Sequence, residues 1–252
     1  MAAVAETSDA KALSFKPSPH VPLFADLGEV YLDSPDVAER YSKIKTAFEL
    51  AYGGPPDFYA RAPGRVNLIG EHIDYEGYGV LPMAIRQDTV VAIRRAPADS
   101  PAAGKLVVGN VEADKYPTLE FGADPAQTVD VANHSWANYF VSAYKGVFEL
   151  LAKTQPDSVP EPVGLQVVVH GQVPTGSGLS SSAAIVCSSM LATLAALGVE
   201  AGGLEKAAAE RYVGVTSGGM DQAISMMGQQ GVAMHVEFNP VGVTYVCGQR
   251  DL

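Results

Sequence analysis

Cysteine is scarce in this 252-residue chain: Cys187 and Cys247 are the two present. No CxxC pair and no Cys/His spacing stands in the sequence, so nothing points to zinc. Two thiols decide little about compartment, although a reduced, cytoplasmic protein fits them. Basic charge is also short. Lys and Arg number 17 against 28 Asp and Glu, giving a net charge of −11 and a pI near 4.8. A surface of that sign argues against general nucleic-acid binding. It leaves room for a phosphorylated ligand, because backbone N–H groups and a metal neutralise phosphate locally. No secretory signal is visible either. The opening MAAVAETSDAKALSFKPSPH has no compact apolar core behind a basic start and no Arg-rich transit bias. Long apolar runs are absent as well. Ala183–Val199 comes nearest, but it carries Ser188, Ser189 and Thr193 and is short for a bilayer. It reads as a buried core helix, and no membrane association is expected.

What is present is an ordinary globular composition, 47% hydrophobic and 18% charged, long enough for a sizeable core. Residues 1–21 are rich in Ala, Ser and Pro and read as a flexible extension. Val37, Tyr41, Ile44, Phe48 and Leu50 recur at helical spacing over Asp36–Ala51, between Ser34-Pro35 and the stop Gly53-Gly54-Pro55-Pro56. Strands are predicted at Phe58–Ala62, Val80–Arg94, Lys105–Asn110 and Thr118–Phe121, the short ones in the same antiparallel region. Trp136–Lys153 is predicted as a helix, Gly164–His170 as a strand, and Ser182–Leu197 as a helix. A shorter helix is predicted over Leu204–Tyr212, a helical continuation at Ala223–Met227 and a strand at Gly231–Phe238. There is no repeat and no regular βαβ alternation, which favours α+β.

Three segments carry chemistry. The first, Arg61–Ile85, packs Arg65, Asn67, Glu71, His72 and Asp74 into ten residues between apolar runs. Such a cluster suits a polar small molecule that needs several hydrogen bonds at once; a salt-bridged surface loop is the bland alternative. The second is a strand leading into Gly176-Ser177-Gly178-Leu179-Ser180-Ser181-Ser182-Ala183 and then a helix. Glycines let backbone approach phosphate, and N–H groups with the helix N-terminus supply positive charge. The GK[ST] ending of a Walker A loop and the G-x-G-x-x-G of a dinucleotide fold are both missing. A serine-rich helix cap is the competing reading. In the third, Asp221 follows Ser217-Gly218-Gly219-Met220 and is either a turn-former or a positioned base. Trp136, the sole Trp, is core or a platform for a purine. His134 and His170 read as structural.

These segments, in this order, resemble the galactokinase branch of the GHMP small-molecule kinases. RAPGRVNLIGEHIDY resembles the galactokinase signature, GSGLSSSAA the family's phosphate loop, SGGMDQ its third segment, and WANY (Trp136–Tyr139) a further family feature. The match runs from about Val21 to Pro240, and its texture is similar to plant or algal and N-acetylgalactosamine-kinase-like members. The resemblance implies an α+β GHMP kinase N-terminal domain, of the ribosomal protein S5 domain 2-like kind, over residues 22–241. It implies ATP-dependent phosphorylation of galactose at the C1 hydroxyl, with Mg²⁺. N-acetylgalactosamine is the alternative substrate, and a catalytically silent sugar- and ATP-binding regulator the alternative role. It implies sugar contacts from Arg65, Glu71, His72, Asp74, Gly218 and Asp221, with Asp221 as base and Arg65 holding it ionised. It assigns ATP to Gly176, Ser177, Gly178, Leu179, Ser180, Ser181, Ser182 and Trp136, and Mg²⁺ to Ser182 with Glu210.

The sequence also departs from that pattern. Family members continue into a C-terminal ferredoxin-like domain, whereas this sequence ends at Leu252 with an atypical tail, residues 242–252. The expectation is a truncated chain, monomeric, with an apolar face normally covered by that domain and with impaired turnover.

Overall fold

A computed structural model describes residues 23–31, 35–130, 132–199, 219–238 and 241–247. The helical spacing after Ser34 builds α1 (Pro35–Tyr52), which buries Ile44 and Phe48 completely. Leu50, predicted on that apolar face, is 83% exposed instead. Gly53, at φ +73°, ends the helix in a conformation that favours glycine.

Strands β1 (Phe58–Asn67), β2 (Pro82–Arg95), β3 (Lys105–Asn110) and β4 (Leu119–Gly122) follow. Then come α2 (Asn138–Thr154), β5 (Leu165–Gly171), α3 (Ser181–Leu197), α4 (Met220–Met227), β6 (Val232–Phe238) and β7 (Val241–Cys247). All seven strands join one sheet in the order β4-β3-β5-β2-β6-β7, with β1 on β2. The short strands correct the sequence reading in one respect. β3 and β4 are antiparallel to each other, but β3 joins β5 in parallel, Leu106 opposite Leu165. A parallel neighbour requires a crossover, and α2 lies in the chain between these two strands. Residues 242–247, within the segment read as a tail, lie in β7 and pair with β6. The helix predicted at Leu204–Tyr212 lies outside the described residues.

Both faces of the central strands are covered. Val90 and Ala92 of β2 and Val168 of β5 pack under α1 with Ile44 and Phe48. Their neighbours Val91, Ile93, Val167 and Val169 point the other way, onto Phe140, Tyr144 and Val147 of α2 and Val186 and Met190 of α3. Period-2 alternation explains why Val90-Val91-Ala92-Ile93 is apolar throughout: each face has its own layer. Each such Val or Ile, fully buried, contributes roughly 1.5–3 kcal/mol over its exposed state. Cys187 is buried in α3, as its setting predicted. Ser188 and Thr193 satisfy their hydroxyls on the Ala184 and Ser189 carbonyls within the same helix, which lets a buried helix carry them. Among the described residues no helix is long and apolar enough to cross a membrane.

A smaller cluster sits at the far end of β2. Met220 and Ile224 of α4 pack with Val80, Val232, Met234, Val236 and Tyr245. This cluster fixes α4 beside the first half of β2, next to the end of β1.

Candidate active site

The site is built on an irregularity. β1 and β2 pair regularly from Phe58↔Ile93 to Pro63↔Asp88, then resume at Arg65↔Ala84. Gly64 alone therefore stands opposite Ile85, Arg86 and Gln87. Bulges of this kind re-aim side chains. Pro63 is tolerated because, among the described residues, β1 pairs with β2 alone and its other edge needs no ladder donor. The sequence reading ended this strand at Ala62, since Pro-Gly reads as a breaker.

The glycine/serine loop arrives at that open edge. The Arg65 N–H donates to the Leu179 carbonyl at 3.1 Å. A Cβ on Gly64 would lie 2.6 Å from the Leu179 oxygen and 2.9 Å from Val173 Cγ1, so this approach requires glycine. The Arg65 side chain then ties two segments together. Its Nε donates to Asp221 Oδ1 at 2.7 Å, and its Nη1 donates to the Gly178 carbonyl at 2.5 Å. Arg65 is 10% and Asp221 21% exposed at the side chain, so the pair is sheltered yet reachable. Asp221 lies in the first turn of α4, one turn earlier than the helix predicted at Ala223–Met227. An acid in a first turn also suits the helix dipole.

The loop itself has the features of an anion cradle. Gly176 and Gly178 sit at φ +71° and +72°, and Ser180 at φ +57°. Ser177 Oγ is taken by the Pro174 carbonyl, whereas Ser180 Oγ is buried without a hydrogen-bond partner among the described residues. Among the described residues, the N-terminus of α3 has no side-chain cap from Ser180 and no acid in its first turn, so nothing there offsets the positive end of the helix dipole. Ser181 and Ser182 open that helix half-buried.

The remaining predicted residues divide. Asp74 is buried, and its Oδ2 accepts from the Met220 N–H at 3.5 Å, which links the first segment to the start of α4. Glu71 and His72 are exposed. His72 adopts φ +58°, and with Ser180 it is one of two non-glycine residues at positive φ among the described residues. Backbone strain of this sort costs on the order of 1–3 kcal/mol and clusters at functional sites. Trp136 donates Nε1–H to the Pro117 carbonyl at 3.2 Å and meets Tyr116 edge-on. Gly218 and Glu210 lie outside the described residues.

Two structural features escaped the sequence reading. Asp88, fully buried, accepts from Arg40 Nη1 at 2.5 Å, Arg61 Nε at 2.6 Å and the Tyr31 hydroxyl at 2.6 Å. Its carbonyl accepts from Gln172 N, just where the chain leaves β5 for the loop. Burial, then the Asp88 charge, pushes the Tyr31 hydroxyl far above its usual range. Arg40 Nε also donates to His170 Nδ1 at 2.9 Å; burial first and the Arg40 charge second hold that imidazole below its ordinary pKa. An acid inside the β run of residues 82–95 was the available signal for this network. The second feature is Ser225, whose Oγ donates to the Pro63 carbonyl at 2.7 Å.

The chain is similar to known sugar kinases. The galactokinase galactose-binding signature matches residues 46–95, and the N-terminal domain of GHMP kinases matches residues 138–229. A galactokinase of Schizosaccharomyces pombe is 38% identical over 231 residues, covering 87% of this chain and 43% of the relative. A galactokinase of Candida maltosa is 36% identical over 199 residues, covering 76% of this chain and 88% of the relative. The crystal structure of Lactococcus lactis galactokinase complexed with galactose superposes with a TM-score of 0.68 at 25% identity, covering 84% of this chain and 53% of that one. A mevalonate kinase structure shares the fold alone, with a TM-score of 0.58 at 18% identity over 77% of this chain and 57% of that one. The chain thus spans less than half the length of the Schizosaccharomyces relative.

Proposed function

Since the chain belongs to the galactokinase family of the GHMP kinases, we propose that it binds galactose and ATP side by side and serves phosphoryl transfer to the sugar C1 hydroxyl. The observation that carries this reading is Arg65, whose guanidinium holds Asp221 and the Gly178 carbonyl together. One side chain thereby fixes the distance between a carboxylate and a phosphate-type loop. Phosphoryl transfer depends on such alignment more than on covalent chemistry.

In this reading Asp221 takes the proton of the C1 hydroxyl. The C1 oxygen bonds to the γ-phosphorus, the bond from that phosphorus to the β–γ bridging oxygen breaks, and ADP leaves with the electron pair. Arg65 keeps Asp221 oriented and offsets negative charge near the acceptor. Glu71, His72, Asp74 and Gly218 hold the sugar hydroxyls. Residues 176–182 cradle the phosphates, and Trp136 stands near adenine. Mg²⁺ suits this reading, because the ion keeps water and phosphate oxygens and needs only one or two protein ligands, and Ser182 brings a half-buried hydroxyl to the start of α3. Ser182 would hold it with Glu210, and the bound ion would neutralise phosphate charge.

The test is ADP release from Mg²⁺-ATP by the purified 252-residue chain, with galactose and N-acetylgalactosamine compared. Galactose-dependent release is expected, lower by about 10²–10⁴-fold in Asp221→Asn with galactose binding retained in calorimetry. An Asp221→Asn variant as active as the parent would remove the catalytic role. Binding of both ligands without turnover would assign the chain a binding role instead.

A further inference from the structure

Beside the Asp221–Arg65 pair, the hydroxyl of Ser225 makes a second directional contact between α4 and the bulged edge of β1. α4 has eight residues and no side-chain cap from its own N-cap position. A helix that short does not hold itself in place. Its apolar side, Met220 and Ile224, chooses which face is buried, but hydrophobic contact is non-directional and tolerates sliding. The Asp74 contact at the Met220 N–H is long, at 3.5 Å. The Ser225–Pro63 hydrogen bond, at 2.7 Å from a buried serine to a half-buried proline, is short and directional.

Ser225 lies four residues after Asp221, so the two share one face of the helix. The residues they engage, Pro63 and Arg65, flank Gly64 at the bulge. α4 therefore meets the same distortion of β1 at two points one turn apart. We propose that Ser225 is a positioning residue: by anchoring α4 to the Pro63 carbonyl, it sets the depth at which the Asp221 carboxylate meets Arg65. This inference rests on the reading of Asp221 as the group against the acceptor hydroxyl.

The test compares the wild-type chain with Ser225→Ala and Ser225→Thr. The direct readout is hydrogen exchange of the Arg65 Nε–H followed by ¹⁵N NMR, which needs no turnover. In Ser225→Ala that proton should exchange about tenfold faster, while the thermal midpoint stays within about 4 °C. Where turnover is measurable, kcat should fall by about tenfold with the galactose KM within about twofold, since misplacement affects the reacting geometry more than binding. Ser225→Thr keeps the donor and should restore both readouts to within about threefold of the parent. Should the Ala variant fail to fold, Ser225→Cys keeps the volume and weakens the donor, and carries the same exchange measurement. Unchanged Arg65 Nε–H exchange in a folded Ala or Cys variant overturns the proposal, as does equal loss of kcat in Ser225→Thr. A wild-type chain without turnover, but with the exchange pattern described, upholds the anchoring while the kinase reading alone fails.

Discussion

Gly64 and Leu179 belong to segments more than a hundred residues apart, yet a methyl group on Gly64 would reach within 2.6 Å of the Leu179 carbonyl oxygen. That oxygen is held by the Arg65 N–H, so the loop has no slack to retreat without losing the bond. Gly64→Ala should therefore push the loop outward. Overpacking of this kind costs about 1–3 kcal/mol, and spent at the loop it should weaken ATP binding by roughly tenfold or more. Calorimetric titration of ATP into the variant checks this; unchanged affinity would mean the loop yields freely.

Arg65 should not be replaceable by lysine. Its two contacts leave from different nitrogens, Nε to Asp221 and Nη1 to Gly178. An ammonium is a single point of charge and cannot reproduce both in the same geometry. Arg65→Lys should retain galactose affinity within about fivefold while kcat falls by about 10–100-fold, the pattern of lost alignment. Steady-state kinetics with both substrates separates the two effects.

Asp88 should matter to stability more than its distance from the reacting groups suggests. Asp88→Asn leaves Arg40 and Arg61 sheltered without their counter-charge. Removing one partner of a buried ion pair costs about 3–5 kcal/mol, measurable by urea denaturation. Lys105→Gln is the matching control. Its pair with Glu120 is exposed, so it should cost no more than about 1 kcal/mol.

His170 gives the fold a pH dependence of defined sign. Its Nδ1 accepts from Arg40 Nε, so the folded state favours the neutral ring and its pKa lies below the ordinary 6.5. Below that ordinary value the unfolded chain binds a proton that the folded chain resists. Its contribution is therefore full above 6.5 and is lost as pH falls from there through the lower folded value. His170→Gln keeps an acceptor for Arg40 and cannot titrate. Denaturation between about pH 5 and 7 should show a shallower loss of stability in the variant than in the parent.

The residues of the candidate site were easier to read from the sequence than the way they are brought together. Arg65, Asp74, Gly178 and Asp221 were all identifiable by residue type and by glycine spacing, and the structure joins them. The device that joins them was illegible. Pro63-Gly64 reads as the end of a strand because local propensity cannot see that β1 is an edge strand, where a proline costs no ladder bond. The parallel pairing of β3 with β5 was hidden for a related reason: periodicity reports a strand's faces, never its partner. Ser225 was overlooked as one serine on an amphipathic helix. Its spacing of four from Asp221 gained meaning only once Pro63 lay opposite.

The exposed edge of β1 has a second significance. An unpaired strand edge invites another chain to add to it. Here the Gly178–Leu179 backbone and helix α4 occupy the part of that edge around the bulge. The contacts that assemble the candidate site thus also serve as the sheet's guard against self-association. A variant that loosens the loop and α4 together would lose substrate handling and uncover an adhesive strand in one event, so solubility and activity should decline in step.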